Sequence, residues 1–205
     1  VDFEEKPKQP RSTLASMGIY VFTWEKLKKY LIENENANTG SKDFGKDIIP
    51  AMLNNGERLF AYEFEGYWRD VGTLDSLWEA NMDLLSPSVP LDLYDPKWKI
   101  YSRHENMPPQ YIGSNAHVEN SMITEGSIVD GTVDFSVISA GVTIEEGATV
   151  KYSIIMPGTV IKSGAVVEYA IIGEDSVVES GAKIGMSPEC VENRDDWGIA
   201  VVGHN

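Results

Sequence analysis

A repeat of seventeen residues dominates the second half of the chain. The segments VISAGVTIEEGATVKYS, IIMPGTVIKSGAVVEYA and IIGEDSVVESGAKIGMS start at residues 137, 154 and 171 and align almost column for column. Three aliphatic columns and one glycine column recur: Ile138, Ile155 and Ile172; Ile144, Ile161 and Val178; Val150, Val167 and Ile184; and Gly147, Gly164 and Gly181. Any fold for this region must place equivalent residues at equal intervals.

The spacing within a repeat indicates what that fold is. Aliphatic positions follow one another at steps of six, five and six residues, which exceeds both the helical period of about 3.6 and the strand period of about two. Such steps fit a coil with three faces, each a short strand with one aliphatic side chain pointing to the axis. Coils of this kind bury their inner surface only by stacking. A β-sandwich with coincidental spacing is the alternative, and the glycine column argues against it.

The segment boundaries follow from the repeat. A looser coil at 121–136 runs one residue short, and 111–120 looks like its beginning, so we expect a β-helix over 111–187 with a C-terminal tail over 188–205. Upstream, five prolines between residues 86 and 110 indicate an extended connector over 87–110.

Residues 1–86 have the pattern of an α/β domain. Short apolar segments at 17–22 and 58–72 predict strands, and segments at 23–40, 43–56 and 73–86 predict helices. Thr23 and Thr73 are candidate helix N-caps, and Leu27, Tyr30 and Leu31 share one face of the first helix. Alternating strands and helices are typical of α/β folds, although this domain is too short to be complete.

Composition narrows the partners and the compartment. Seventeen basic and thirty-two acidic residues give a net charge of −15, so we expect no binding to nucleic acid or to an anionic membrane. No apolar run approaches the roughly 18 residues of a membrane span. The single Cys190 cannot form an internal disulfide, which favours a cytoplasmic location. The chain begins on Val in a charged stretch, and we expect it to be a piece of a longer protein.

Four short strings carry the functional signal: EEKP at 4–7, ASMGIY at 15–20, DFGKD at 43–47 and GYWRDVGT at 66–73. In this order, ahead of the repeat, they closely resemble the ADP-glucose pyrophosphorylases, the glucose-1-phosphate adenylyltransferases of bacterial glycogen synthesis. The chain corresponds to the C-terminal half of that family. The resemblance implies an α/β partial nucleotidyltransferase domain followed by a left-handed parallel β-helix of hexapeptide repeats.

The resemblance also implies a reaction and its participants. Adenylate passes from ATP to the phosphate of α-D-glucose 1-phosphate, pyrophosphate is released, and Mg²⁺ assists. The family resemblance implies a nucleotidyltransferase that forms a homotetramer. Glu5 matches a residue that accepts from glucose hydroxyls, and Lys6 matches the residue that pairs with the sugar phosphate. A solvated charge run is the alternative for these two residues.

The other strings supply the rest of the predicted site. Ser16 matches a hydroxyl that contacts the sugar, with Tyr20 close to it, and Asp43 and Phe44 match the part of the pocket that closes over the sugar. Asp43 is equally suited to cap the helix that follows. Trp68 offers an apolar face to a pyranose, and Asp70 matches the catalytic aspartate that ligates Mg²⁺, a hard cation that prefers carboxylate oxygens. For Arg69 we expect a structural pairing with an acidic residue.

The same comparison indicates what the chain lacks. Enzymes of this type cradle the triphosphate with a glycine-rich loop, whereas none of the eighteen glycines are adjacent or separated by a single residue. We therefore expect the chain to be inactive alone. Only three histidines occur, and His117 alone lies in the repeat, which excludes a three-histidine zinc site and disfavours a hexapeptide acyltransferase. A non-catalytic regulatory or scaffolding subunit of the same fold remains the alternative.

Overall fold

The repeats wind into a parallel β-helix in the computed structural model, which describes residues 3–37, 41–88, 91–102, 106–193 and 197–203. Its strands are β1 Tyr111–Ile112, β2 His117–Glu119, β3 Met122–Ile123, β4 Ile128–Val129, β5 Thr132–Asp134, β6 Val137–Ile138, β7 Thr143–Ile144, β8 Thr149–Lys151, β9 Ile154–Ile155, β10 Val160–Ile161, β11 Val166–Glu168, β12 Ala170–Ile172, β13 Val177–Val178, β14 Lys183–Ile184 and β15 Ala200–Val202. The predicted β-helix is confirmed.

Every third strand belongs to the same sheet. Sheet A contains β1, β4, β7, β10 and β13; sheet B contains β2, β5, β8, β11 and β14; and sheet C contains β3, β6, β9, β12 and β15. All pairings are parallel, and neighbouring strands of a sheet come from successive coils. A parallel sheet built in this way gives each backbone group a partner in the coils on either side.

The aliphatic columns form the interior. Ile161 pairs with Ile144 and Val178 in sheet A, and equivalent pairs join the columns of sheets B and C. The inner side chains of the central coils are fully buried: Ile138, Ile144, Val150, Ile155, Ile161, Val167 and Ile172. The three predicted columns are therefore confirmed, each on its own sheet.

The glycine column turns the corner from sheet A to sheet B. Gly147, Gly164 and Gly181 have φ angles of 75°, 72° and 72°, in the left-handed region that side chains with a Cβ rarely adopt. A Cβ on Gly147 would lie 3.8 Å from the amide nitrogen of Gly164. These glycines occupy equivalent corners, as predicted.

The corner from sheet B to sheet C carries aromatic residues instead. Phe135, Tyr152 and Tyr169 have φ angles of 43°, 47° and 48°, and we call these three residues the aromatic ladder. The rings of Tyr152 and Tyr169 stack at 4.8 Å between centroids, and Phe135 lies 5.2 Å from Tyr152. Ring stacking between successive coils offsets the cost of placing side chains in the left-handed region.

The looser coil is two residues short rather than one. Val129 pairs with Ile144, fifteen residues away, where later coils pair residues seventeen apart. The loss falls at the corner between β4 and β5, which only Asp130 and Gly131 occupy. A Cβ on Gly131 would lie 2.6 Å from the carbonyl oxygen of Ala148. A glycine is needed here because the tightened corner presses on the next coil.

The predicted C-terminal tail contains one more strand. β15 pairs with β12 in parallel, with Val201 opposite Ile171, so sheet C extends beyond the expected end at residue 187. The reason is that the chain returns to the same face after a short 3₁₀ turn at Pro188–Cys190. The described part of the connector, at 91–102 and 106–110, contains turns and extended chain without regular helix or strand.

A helix covers the outer surface of sheet C. This helix, α3, spans Leu74–Asp83 and follows the predicted N-cap Thr73. The hydroxyl of Thr73 accepts a hydrogen bond from the Ser76 amide. Met82 of α3 is buried together with Ile154 and Ile171 of sheet C. The chain divides into compact units at Val1–Glu65 and Gly66–Asn205, and α3 belongs with the β-helix because it packs on this sheet.

The first unit is built from two helices and a π-type turn. Helix α1 spans Trp24–Asn36, the π-type turn spans Phe44–Ile48, and helix α2 spans Ile49–Asn54. Their small core contains Tyr30, Ile48 and Met52. Thr23 occupies the N-cap position of α1 without a capping bond from its side chain. Leu31, expected beside Tyr30 on the apolar face, is 36% exposed.

The predicted strands at 17–22 and 58–72 do not form. Both segments lack β-ladder pairing in the described structure. Val21, Phe60 and Tyr62 are 98%, 84% and 88% exposed, whereas Phe22 and Leu59 pack against the small core of the first unit. A strand requires a neighbouring strand for its hydrogen bonds, and neither segment has one among the described residues. The apolar alternation is present, but its partner surface is not.

In the described part of the chain, no helix combines the length and the apolar composition needed to cross a membrane.

We predict that Gly131→Ala destabilises the β-helix. The added methyl group would meet the carbonyl oxygens of Glu145 and Ala148 at 2.7 and 2.6 Å, and these atoms cannot withdraw without breaking the hydrogen bonds that they accept from the amides of Ala148 and Thr132. Urea unfolding should show a loss of about 1–3 kcal/mol. Gly198→Ala is the matched control, since a Cβ there has no neighbour within 4 Å. Equal stability of the two variants would contradict this packing.

Candidate functional site

Two of the predicted sugar-binding carboxylates meet beside Gly45 in the first unit. A Cβ on Gly45 would collide with the carboxylate of Glu5 and would lie 3.3 Å from Oδ1 of Asp43. Gly45 is buried, so the absence of a side chain is what allows both carboxylates to approach this point. Two acceptor groups at one place suit a ligand with several hydroxyl donors.

Asp43 is held by its own turn. Its carboxylate accepts from the Lys46 amide at 2.9 Å, so it caps the π-type turn, which was the alternative reading of this residue. Single turns of this type occur frequently at functional sites. Capping uses one oxygen of the carboxylate, and the capping role is compatible with the predicted role in binding.

Asp47 positions this turn, a role that the motif strings did not predict. Its carboxylate accepts from the amide of Ser41 at 2.9 Å, the hydroxyl of Ser41 at 3.1 Å and the amide of Asp43 at 3.0 Å. The hydrogen bond from the Asp43 amide is the largest of the effects that lower the pKa of Asp47 below its ordinary value of 3.8. The charged carboxylate of Asp47 therefore fixes the backbone that carries Asp43.

Aromatic rings form an apolar patch next to the carboxylates. Tyr20 and Phe44 stack with centroids 6.2 Å apart, and Phe22, which the sequence did not single out, lies 5.9 Å from each of them. The hydroxyls of Ser16 and Tyr20 lie 2.9 Å apart. The patch thus combines an apolar surface with a hydroxyl pair, a combination that matches the two kinds of surface of a pyranose ring.

Lys6 lies on the exposed surface of the same unit. Its φ angle of 46° is in the left-handed region, which residues other than glycine occupy rarely and often at functional positions. Of the other predicted residues in the first unit, Glu5 and Asp43 lie at Gly45, and Ser16, Tyr20 and Phe44 lie at the aromatic patch.

The second unit carries Trp68 and Asp70. Oδ1 of Asp70 accepts from the Gly72 amide at 3.0 Å, and a Cβ on Gly72 would lie only 3.1 Å from that oxygen. An open pocket of about 410 Å³ is lined by Asp70, Gly72, Thr73 and Ser76. Trp68 is 43% exposed, which leaves part of its ring free to contact a ligand.

Arg69 pairs with acidic residues, as predicted. Its Nε donates to Asp83 at 2.8 Å and its Nη1 donates to Glu79 at 3.2 Å. Asp83 also accepts from the hydroxyl of Tyr67 at 3.0 Å. The hydrogen bond and charge of Asp83 raise the pKa of Arg69 further, and burial, with Asp83 next, raises the pKa of Tyr67.

A complete metal site is not formed by the described residues. Among them, no group of three or more histidine, cysteine or acidic side chains is placed to hold a metal ion. The exposed carboxylate of Asp70 fits one coordination position of Mg²⁺, an ion that retains several waters and needs few protein ligands. His117 is exposed on β2, 3.8 Å from Glu119.

Comparisons with known proteins agree with both units. Residues 1–87 match the family model described as nucleotidyl transferase, and residues 108–202 match the one described as GlmU-like, C-terminal hexapeptide. The chain is 57% identical over 143 residues to a glucose-1-phosphate adenylyltransferase of Clostridium beijerinckii, and 58% identical over 149 residues to that of Desulforamulus reducens. The chain belongs to the glucose-1-phosphate adenylyltransferase family.

The two matches cover 70% and 73% of this chain but only 37% of each relative. Family membership is thus confirmed for a chain that spans little more than a third of these glucose-1-phosphate adenylyltransferases.

We predict that Asp47 titrates below its ordinary range. Because its folded pKa lies below 3.8, its carboxylate stabilises the turn at pH values above the unfolded pKa, and this contribution is lost as the pH falls through the folded pKa. In an NMR titration, the amide signals of Ser41 and Asp43 should shift together with the Asp47 carboxyl carbon. In Asp47→Asn these acid shifts should disappear. A carboxyl transition at or above pH 3.8 would contradict the geometry.

Proposed function

We propose that this chain is part of an enzyme that transfers adenylate from ATP to α-D-glucose 1-phosphate. An oxygen of the sugar phosphate attacks the α-phosphorus of ATP, and the bond to the departing pyrophosphate breaks, which gives ADP-glucose. The observation that carries the proposal is the identity of 57–58% to proteins named glucose-1-phosphate adenylyltransferase. The grouping of carboxylates and aromatic rings in the first unit supports it.

The first unit would bind the sugar phosphate. Glu5 and Asp43, side by side at Gly45, are placed to accept from glucose hydroxyls. Tyr20 and Phe44 offer stacked aromatic faces to the apolar face of the ring, and the Ser16 hydroxyl adds a donor and acceptor. Lys6 would pair with the phosphate, since a flexible ammonium is a good point charge for a dianion.

The second unit would supply one ligand of Mg²⁺. Bound Mg²⁺ offsets the negative charge that builds up on the phosphates during transfer. Asp70 is held by the Gly72 amide at 3.0 Å through Oδ1, and its role is to present the carboxylate to the ion in a fixed orientation. Trp68, two residues before Asp70 and 43% exposed, would offer its apolar face to the sugar.

The remaining groups would come from the rest of the enzyme. The triphosphate needs a cradle of backbone amides, and the glycine pattern of this chain does not provide a glycine-rich loop. The exposed apolar segments at 17–22 and 58–64 would pack in the complete catalytic domain. We further propose that the enzyme assembles as a homotetramer and acts in glycogen synthesis, as the family resemblance implies.

We predict that the 205-residue chain alone does not form ADP-glucose. It contributes groups for the sugar phosphate and one metal ligand, but no cradle for the triphosphate. Release of pyrophosphate from ATP and glucose 1-phosphate, followed by a coupled assay, should stay at the background level. The complete enzyme that carries this sequence is the positive control. Activity of the chain alone would refute the assignment of the nucleotide site to other parts of the enzyme.

We predict opposite kinetic signatures for Lys6 and Asp70 in the complete enzyme. Lys6→Ala removes a charge-assisted contact present in both ground and transition states, so the apparent affinity for glucose 1-phosphate should fall roughly 10- to 150-fold while kcat changes much less. Asp70→Asn weakens the hold on the ion, so kcat should fall by orders of magnitude and the Mg²⁺ requirement should rise. Steady-state kinetics at varied substrate and Mg²⁺ concentrations measures both effects.

Three results would contradict these roles. Lys6→Ala could lower kcat at constant KM, or Asp70→Asn could be folded and kinetically unchanged. A complete wild-type protein without adenylyltransferase activity would instead favour a regulatory or scaffolding subunit of the same fold. Lys8→Ala is a suitable control for Lys6, because Lys8 is an exposed lysine two residues away without an assigned role.

A further inference from the structure

The segment that carries Asp70 has a second face, directed at helix α3. Tyr67 and Arg69 are two residues apart, and both donate to the carboxylate of Asp83. In extended chain, residues two apart lie on the same side and those between them on the other. Trp68 and Asp70 therefore alternate with the residues that hold the segment. We call the contacts among Tyr67, Arg69, Glu79 and Asp83 the arginine clamp.

The arginine clamp fixes the orientation of the Arg69 side chain. Arg69 reaches Glu79 and Asp83, which are one helical turn apart on α3, with contacts of 3.2 Å and 2.8 Å. A planar guanidinium that donates from two different nitrogens fixes both the position and the rotation of its side chain. Asp83 Oδ2 receives Tyr67 and Arg69 together, so the segment is attached at two adjacent points before Asp70.

Helix α3 is itself anchored to the β-helix. The indole nitrogen of Trp78 donates to the carbonyl oxygen of Tyr152 at 2.7 Å, and its ring lies 5.9 Å from that of Tyr169 in the aromatic ladder. Met82, next to Asp83, is 6% exposed and packs with Ile154 and Ile171. The residues that receive Arg69 thus stand on a helix whose other side is fixed to sheet C.

We propose that Arg69 is a positioning residue, which aligns Asp70 for metal binding by attaching its segment to helix α3 and through it to the β-helix. This inference takes from the function proposed above only the reaction that the metal ion serves. A ligand of Mg²⁺ must be held to about 0.5 Å for full effect, and Asp70 lies in an exposed segment with no ladder pairing. The arginine clamp supplies the restraint that secondary structure does not.

The first experiment measures the restraint itself in the 205-residue chain. In the segment 66–73, hydrogen exchange of the Gly72 and Thr73 amides, which donate to Asp70 and Ser76, should become about tenfold faster in Arg69→Gln, while the amides of β6–β13 keep their protection. Arg69→Lys should fall between the two, because lysine retains the charge and loses the fork. Lys162→Gln is the matched control, since it breaks an exposed ion pair of the same unit, Lys162–Glu179 at 2.7 Å, and should leave 66–73 unchanged.

The second experiment measures metal binding in the complete enzyme, with Mn²⁺ as the probe and electron paramagnetic resonance as the readout. Arg69→Gln and Asp83→Asn should each weaken Asp70-dependent Mn²⁺ binding about tenfold, and the double variant should lose little more, because both break the same clamp. The Mg²⁺ requirement for ADP-glucose synthesis should rise in parallel, with KM for glucose 1-phosphate nearly unchanged. Lys162→Gln should match wild type.

The outcomes separate this inference from the proposed function. Unchanged exchange at 66–73 overturns the clamp, and faster exchange with normal Mn²⁺ binding shows that it stabilises the fold only, which overturns positioning. Mn²⁺ binding that does not depend on Asp70 also overturns it. If the complete wild-type protein binds Mn²⁺ through Asp70 but makes no ADP-glucose, the proposed reaction is wrong. The role of Arg69 is then decided by the Mn²⁺ binding data alone.

Discussion

Each coil of the β-helix can bury its inner side chains only against the coils before and after it. The central members of the three columns, Ile144, Ile155 and Val167, are fully buried for this reason, and the parallel ladders satisfy the backbone of the same coils. A coil has no stable form alone, so the register of one coil determines that of the next. The position of every outward-facing group on this half of the molecule follows from that dependence, including the surface of sheet C on which α3 packs.

Sheet C links the repeat to the candidate site. Ile154 and Ile171 point outward and would face water, but Met82 and Trp78 of α3 cover them. The bond from Trp78 to the Tyr152 carbonyl adds a directional restraint to this apolar contact. The β-helix thus contributes no catalytic group that we identify, and it acts as a rigid surface on which the segment with Asp70 is supported.

The sequence predicted those features that depend on periodic or local patterns. The columns of sheets A, B and C follow from the seventeen-residue spacing because each column is a direct consequence of coil geometry, and the Thr73 cap follows from local hydrogen bonding. Predictions failed where a partner was decisive. Among the described residues, the expected strands around Val21 and Phe60 have no neighbouring strand, and the side chains of these two residues remain exposed.

The candidate site was predicted in part, for a similar reason. Motif strings point to candidate ligand contacts, and the roles of Glu5, Asp43 and Asp70 stay predictions. They do not identify residues that hold those groups in place, because such contacts arise only when distant or adjacent segments close on one another. Asp47 at the Asp43 turn and Asp83 beneath Arg69 belong to that second class. For the contact between Asp47 and the Asp43 turn, the only local indication in the sequence was the pair of acidic residues four apart in DFGKD.

The shortened corner at Gly131 affects more than local packing. Coils of equal length and similar sequence are nearly interchangeable, so a chain of them can pair one whole coil out of step and still bury its aliphatic columns. The fifteen-residue interval between Val129 and Ile144 limits that equivalence, because the corner at Asp130 and Gly131 has two residues whereas the corners on either side of it, at 113–116 and 145–148, have four. The two missing residues therefore distinguish this coil from those that follow it.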